Sequence, residues 1–503
     1  MILSRYNLKN ISAQDIETPA DSVFDLPEKV LQFGTGVLLR GLPDYFIDKA
    51  NRQGVFNGRV VVVKSTDSDS SAFDKQDGLY TLCVRGLDGG KKVEENIINS
   101  SISRVLSAKD EWSEILQCAH NPNMQIIISN TTEVGIQLVQ DDIHRLPPVS
   151  FPGKLLAFLL ERYKAFDGSR DSGMVIVPTE LIIDNGKKLE SIVLELAHLN
   201  GLDDTFIQWL ENCNYFCSSL VDRIVPGKPD TATRENLEKT FGYKDELLTM
   251  SEVYRLWAIE GGEHIKSVLT FASVDEGVVI APDINLFREL KLRMLNGTHT
   301  LSCGLAYLAG FGTVKQAMDD AGMQTFISRL MLNEIATGIP YDVEQGVSQT
   351  FGSKVLDRFA NPNIEHHWIN ITMQYTSKMK MRNVPVILTY AERVKTVPEN
   401  IALGFAAYLL FLKPVAKKQD KYYGEWQGKE YHIQDDFAPY FFEKWSKLNP
   451  AQLADEVLAD TSLWGADLSA IPGFAQAVKD NMAALLENGV AKTIQHQTKK
   501  VLA

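Results

Sequence analysis

Apolar positions fall into two textures along this chain. Over roughly the first 270 residues, short unbroken apolar runs alternate with stretches of helical period. Lys29-Val-Leu-Gln-Phe33 stops at Gly34-Thr-Gly36, and Val37, Leu38, Leu42, Phe46 and Ile47 follow at about helical spacing, which predicts strand, glycine turn and helix. Arg59-Val-Val-Val-Val-Lys64 predicts a second strand, followed by a polar loop from Ser65 to Ser71. Consecutive β-branched residues, with no alternation, mark a strand covered on both faces, as in a parallel sheet. Gln125-Ile-Ile-Ile-Ser129 and Gly173-Met-Val-Ile-Val177 repeat the style, while Leu189, Ile192, Val193, Leu196 and Ala197 recur at helical spacing. Strands alternating with helices predict an α/β, doubly wound domain of the Rossmann type. From about Pro282 the β-branched runs vanish. Long amphipathic segments at 286–308, 314–337, 364–380, 401–412 and 472–492 predict a mostly α-helical second domain. The expected division is 1–275 and 276–503.

Composition narrows the classes. Of 503 residues, 45% are hydrophobic and 23% charged, which is globular usage. A net charge of −13 without a basic block argues against nucleic acid or an anionic membrane as a partner. Five scattered cysteines fit a reducing compartment, and the charged first residues do not read as a signal peptide, so a cytoplasmic location is expected. The longest apolar run, 401–412, is too short to cross a bilayer. Cys213 and Cys217 lack a second ligand pair at zinc spacing, and no His-Glu-x-x-His occurs, so no metal is expected. Gly-x-Ser-x-Gly and phosphate-loop patterns are absent too, which disfavours hydrolase and kinase chemistry.

Three features carry candidate chemistry. Gly34-x-Gly36 sits between a strand and a helix, where it serves either as an ordinary βα turn or as the close approach to a dinucleotide pyrophosphate; the third glycine of the full pattern is replaced by Leu39. Asp67 follows the second strand, where a carboxylate can accept from an adenosine ribose or simply belong to a polar loop, and Lys64 nearby is the opposite signal. Lys291, Asn296 and His299 fall at about 0°, 140° and 80° on an α-helix, one contiguous arc about 12 Å long. They read as a group converging on one small molecule or as a solvated face with a core histidine. Gly297 among them, unfavourable in a helix by about 1 kcal/mol, indicates close approach of something.

These residues resemble a known family, the polyol-specific long-chain dehydrogenases and reductases typified by mannitol dehydrogenase. The family pattern Lys-x4-Asn-x2-His is met by Lys291, Asn296 and His299. Further matching stretches are Gln32-Phe-Gly-x-Gly36 with Leu39-Arg40, Gln76-Asp-Gly-Leu-Tyr-Thr81, Ser129-Asn-Thr-Thr-Glu133 and Phe216-Cys-x-x-x-Val-Asp-Arg-Ile224. Arg358-Phe-x-Asn-Pro362 and Gln434-Asp-Asp436 extend them almost to the end of the chain. Within the family they look like the branch that reduces the keto-sugar acid tagaturonate to altronate.

The resemblance implies NAD(H) dependence, no metal, a Rossmann-type domain and a helical one. It implies Lys291 as general acid/base with Asn296 and His299 holding the reacting oxygen. Phe33, Gly34, Gly36, Arg40, Asp67, Thr131, Thr132 and Glu133 would surround the cofactor, and Glu180, Asp222 and Arg358 the substrate. One departure stands out. Where the polyol enzymes carry Cys-Asp-Asn-Leu, this chain has Pro178-Thr-Glu180-Leu181, and an ionised Glu cannot donate a hydrogen bond. Arg358, Lys378 and Arg382 fall near one another in sequence and suit a carboxylate; the motif favours Arg358, whereas Lys378 and Arg382 also read as solvated helix charges. The expected activity is therefore NADH-dependent reduction of a keto-sugar acid. Fructuronate or fructose as substrate, an epimerase that retains NAD, and a non-catalytic redox sensor are the alternatives.

Overall fold

The computed structural model describes residues 1–500 apart from Ser68, Glu133 and Gln345, with backbone alone for 496–500. The chain divides into two compact units, Met1–Gly86 with Lys92–Ile284, and Leu87–Lys91 with Asn285–Ala503.

The first unit is organised by a parallel sheet of β1 (Glu28–Phe33), β2 (Arg59–Lys64), β5 (Ile102–Ser107), β6 (Ile126–Ser129), β7 (Val175–Pro178) and β8 (Tyr215–Phe216), in the order β5-β2-β1-β6-β7-β8. This is the doubly wound order, with the direction of winding reversing between β1 and β6. The valine run of β2 explains itself here. Val61 and Val63 join a core with Leu31, Ile127 and Ile176, whereas Val60 and Val62 join another with Val30, Ile126 and Val175. Alternate residues of each strand thus feed opposite faces, and a strand with no polar face is the only kind that fits. Each fully buried valine contributes about 1.5 kcal/mol or more.

Between β2 and β5 the chain inserts the hairpin β3 (Tyr80–Asp88) and β4 (Lys91–Asn99), which share a sheet with β10 (Thr249–Glu252). A third sheet joins β9 (Ser219–Asp222), β11 (Leu256–Glu260) and β12 (Val278–Ala281). The helix expected after Gly36 is two helices, α1 (Val37–Gly41) and α2 (Pro43–Arg52). Pro43 has no N–H to donate and Leu42 adopts φ −133°, ψ −78°, so the chain turns there.

The second unit is mainly helical, with one feature that the apolar pattern did not announce: a three-stranded antiparallel sheet of β13 (Pro414–Lys418), β14 (Lys421–Trp426) and β15 (Lys429–Ile433). Its strands are short and mostly Lys, Glu and Tyr, so they carry no apolar run. Among the described residues no helix is long and apolar enough to cross a membrane.

Candidate active site

In the second unit the Lys291 segment belongs to one continuous helical path. Asn285–Glu289 is α-helical, Leu290–Gly297 is π-helical, and Thr298–Leu308 is α-helical again. The α-helical arc expected for Lys291, Asn296 and His299 therefore needs correcting. A π-helix bonds residue i to i+5, which widens the turn and brings Lys291 and Asn296, five apart, closer to one face. The distortion is braced. Arg293, nearly buried, pairs with Glu289 at 2.9 Å and donates to the carbonyls of Met381 and Arg382 at 2.5 and 2.9 Å, in a second π-helical stretch, Met379–Asn383. The same stretch explains Gly297. Asn383 Nδ2 donates to the Gly297 carbonyl at 3.3 Å, and a Cβ on residue 297 would lie 2.6 Å from Asn383 Oδ1.

Asn296 is half-buried, and its carboxamide makes no hydrogen bond within the described chain. His299 is 8% exposed. Its ring lies flat on Phe359, centroids 4.1 Å apart and planes 7° apart, and meets His366 and Trp368 edge-on at 5.0 and 6.0 Å. Burial holds its pKa well below the ordinary 6.5, and His366, Arg358, Arg382 and Lys378 push the same way. His299 is therefore a neutral imidazole, and its buried Nε2 has no hydrogen-bond partner. His366 is pushed down likewise, by burial and then by Arg358, His367 and Lys378. Three cations thus act on one neutral histidine.

In the first unit the Gly34 turn closes β1. Gly34 has φ +131°, which side-chain-bearing residues rarely adopt, and its N–H donates to the Val63 carbonyl at 3.0 Å. A Cβ there would sit 3.1 Å from the Asn130 carbonyl, at the end of β6, whereas a Cβ on Gly36 would meet nothing within 4 Å. The backbone is thus tight at Gly34 and open at Gly36, the combination a pyrophosphate needs at a switch point. These residues fit a dinucleotide.

The other expected cofactor residues divide. The Phe33 ring is buried edge-on against Phe151 at 5.1 Å and leaves only backbone at the turn. Arg40 lies over Phe73 and Tyr80 and donates from Nη1 to the Leu247 carbonyl at 2.6 Å, so it also braces the fold. Asp67 is exposed and pairs with Lys109 at 3.1 Å. Thr132 is exposed; Glu133 lies outside the described residues.

Glu180 is buried and already supplied with donors. Ser129 Oγ reaches its Oε2 at 3.1 Å, and the N–H and Oγ1 of Thr131 reach Oε1 at 2.7 and 3.0 Å. Its carboxylate ties the end of β7 to the loop after β6. Asp222 is buried at the end of β9, and Arg358 lies in the last turn of the helix Val347–Phe359. Among the described residues no group of three or more His, Cys, Asp or Glu could hold a metal ion.

Comparison with known proteins adds to this geometry. Residues 28–270 match the mannitol dehydrogenase Rossmann domain, and residues 283–486 match the mannitol dehydrogenase C-terminal domain. The chain belongs to the mannitol dehydrogenase family. Among curated members, it is 39% identical over 487 residues to the altronate oxidoreductase of Bacillus subtilis (strain 168), covering 94% of this chain and 96% of that protein. It is 36% identical over 478 residues to the altronate oxidoreductase of Cronobacter sakazakii (strain ATCC BAA-894), covering 93% and 96%. Two solved structures share the fold. Pseudomonas fluorescens mannitol 2-dehydrogenase, in ternary complex with NAD and D-mannitol, has TM-score 0.65 and 23% identity over 99% of this chain and 100% of that one. A D-sorbitol dehydrogenase has TM-score 0.75 and 20% identity over 98% and 100%.

Several groups of this family member escaped the sequence pattern. Phe359 stood in the Arg358-Phe-x-Asn-Pro362 motif without a role, and His366 and Trp368, from a loop and the start of a short helix, share no period with it that would reveal the three around His299. Arg293, two residues from Lys291 and outside the motif, is the brace of the π-helix. Glu289, four residues before Arg293, was the legible half of that brace.

Proposed function

We propose that this chain is an NADH-dependent oxidoreductase that reduces D-tagaturonate to D-altronate, and runs the reverse oxidation, in hexuronate catabolism. The observation that carries the reading is the neutral His299, close in sequence to Asn296 and Lys291 and under the field of three cations. Acid/base groups suited to a carbonyl thus lie beside a field suited to an anion, in a protein whose net charge is −13. The curated relatives named altronate oxidoreductase, matched over more than nine-tenths of the chain, support the same choice.

When bound, NADH supplies the hydride. Gly34 and Gly36 would admit its pyrophosphate, and Asp67 would accept from its ribose. Thr131, held by Glu180, would fix the loop beside it. The other unit's side chains handle the proton and the charge. As the carbonyl carbon is reduced, negative charge grows on its oxygen. Lys291 as an ammonium donates a hydrogen bond to that oxygen and then the proton; in the oxidation direction its free amine takes the alcohol proton. Asn296 offers an unused amide N–H, and His299, neutral, donates from one ring nitrogen only. A fixed donor at such an oxygen is worth about 3 kcal/mol in the transition state. Asp222 would accept from a substrate hydroxyl, and the Arg358, Lys378 and Arg382 group would attract the carboxylate.

The test is an NADH absorbance assay with tagaturonate, fructuronate and fructose. Tagaturonate should give the highest kcat/KM. Consumption of NADH with none of the keto-sugar acids would end the reading, and interconversion of sugars without net change in NADH would favour an epimerase.

A further inference from the structure

The substrate of this reaction carries its carboxylate at the far end of the carbon chain from the reacting ketone, and some cation must hold it. Motif resemblance favours Arg358. The geometry points to Arg382: we propose that its guanidinium grips the substrate carboxylate and sets the preference for sugar acids over neutral sugars, an inference that rests on the sugar-acid reading above.

Arg382 leaves the π-helical stretch Met379–Asn383, whose carbonyls receive Arg293. Its Nη1 donates to Thr300 Oγ1 at 3.1 Å and to the Asn296 carbonyl at 3.4 Å. The guanidinium is thereby held against the Asn296–Thr300 segment, which carries both residues assigned to the reacting oxygen. The rest of the group is unused. Nε is buried without a partner, and Nη2 makes no hydrogen bond yet is not buried. The buried Nε–H lacks the partner that buried donors ordinarily have, and the unburied Nη2 keeps its donors unused.

Charge separates Arg382 from its neighbour. Lys378 donates to the Ile371 carbonyl at 3.0 Å and feels Asp435, so part of its charge is answered within the fold. Burial depresses the Arg382 pKa, and among the described residues only the Cys303 thiol acts against that; Arg382 makes no ion pair. A carboxylate would supply both the missing acceptor and the missing charge, at the atom the structure leaves exposed. Arg358 and Lys378, which act with Arg382 on His299, would strengthen the attraction at longer range.

The experiment compares kcat/KM for tagaturonate and fructose in the wild type, Arg382→Met, Arg382→Lys and Arg358→Met. A charge-assisted hydrogen bond predicts that Arg382→Met loses about 10- to 100-fold more on tagaturonate than on fructose, mainly through KM. Arg382→Lys, which keeps a cation without the planar fork, should show a smaller ratio of the same sign and decides the matter if Arg382→Met does not fold. Equal losses on the two substrates in both Arg382 variants, or a selective loss in Arg358→Met alone, would overturn the assignment. A wild-type protein that reduces fructose and no keto-sugar acid would remove the sugar-acid reading itself and this inference with it. That result differs from any failure in the variants.

Discussion

Gly297→Ala separates local propensity from tertiary packing, because the two predict opposite signs. Within a helix, alanine is favoured over glycine by about 1 kcal/mol, so propensity alone makes the substitution stabilising. The added methyl, however, would stand 2.6 Å from Asn383 Oδ1, whereas ordinary van der Waals contact begins near 3.4 Å. Asn383 cannot simply swing aside. It is fully buried, and its Nδ2 is committed to the Gly297 carbonyl at 3.3 Å and to Met379 Sδ at 3.4 Å. Overpacking of this kind is unfavourable by about 1–3 kcal/mol, and stranding the buried amide adds about 1–3 kcal/mol. Against a gain of about 1 kcal/mol, the net effect should be a loss of about 3 kcal/mol. Urea unfolding, followed by a probe in the helical unit, would read it as a lower midpoint with unchanged slope. Asn383→Ala combined with Gly297→Ala should recover part of the loss, since the clashing oxygen is gone. A Gly297→Ala protein as stable as the wild type, or more so, would refute the packing argument. Because residue 297 adjoins Asn296, kcat should fall as well.

Lys291→Ala should lower kcat by about 10²–10⁴ while NADH affinity, read by fluorescence titration, stays intact; a variant keeping more than about a tenth of the rate would move the acid/base role elsewhere. Asp67→Ala should reduce the preference for NADH over NADPH by about tenfold, because it removes an anion and leaves Lys109 and Lys64 beside the loop; an unchanged kcat/KM ratio would refute that role. The depressed pKa of His299 also makes a stability statement. Below its ordinary 6.5 the unfolded state takes up a proton that the folded state refuses, so this contribution is lost as pH falls. Stability relative to His299→Gln should thus decline by about 1.4 kcal/mol per pH unit below 6.5 in urea titrations; a gap constant between about pH 6.5 and 5 would contradict a buried neutral imidazole.

Much of the first unit was legible in the sequence. Four consecutive valines are compatible with little besides a strand covered on both faces, and glycines directly after an apolar run leave few options but a turn. In the second unit the strands 414–433 were illegible, because their stability comes from cross-strand pairing and one packed face and not from any apolar run. Lys291, Asn296 and His299 were legible as a motif, and Gly297 as a sign of close approach. What approaches was not.

The sequence by itself determined the periods: where strands and helices form, which faces are apolar, and which residue types are spaced to share chemistry. Those are local matters, set by backbone sterics and by the alternation of side chains along an element. Only the tertiary structure decided the electrostatics and the strain. The π-helical turn at Lys291 persists because Arg293 and Asn383 tie it to residues nearly ninety positions away. His299 is neutral because Phe359 and Trp368 exclude water from it while Arg358, Lys378 and Arg382 act on it from separate elements. Arg382 read either as a carboxylate partner or as a solvated helix charge, and the fold sets it half-buried against Thr300 without a counter-ion among the described residues. Desolvation and close contact depend on what is near in space, and a linear pattern does not carry that information across distant residues.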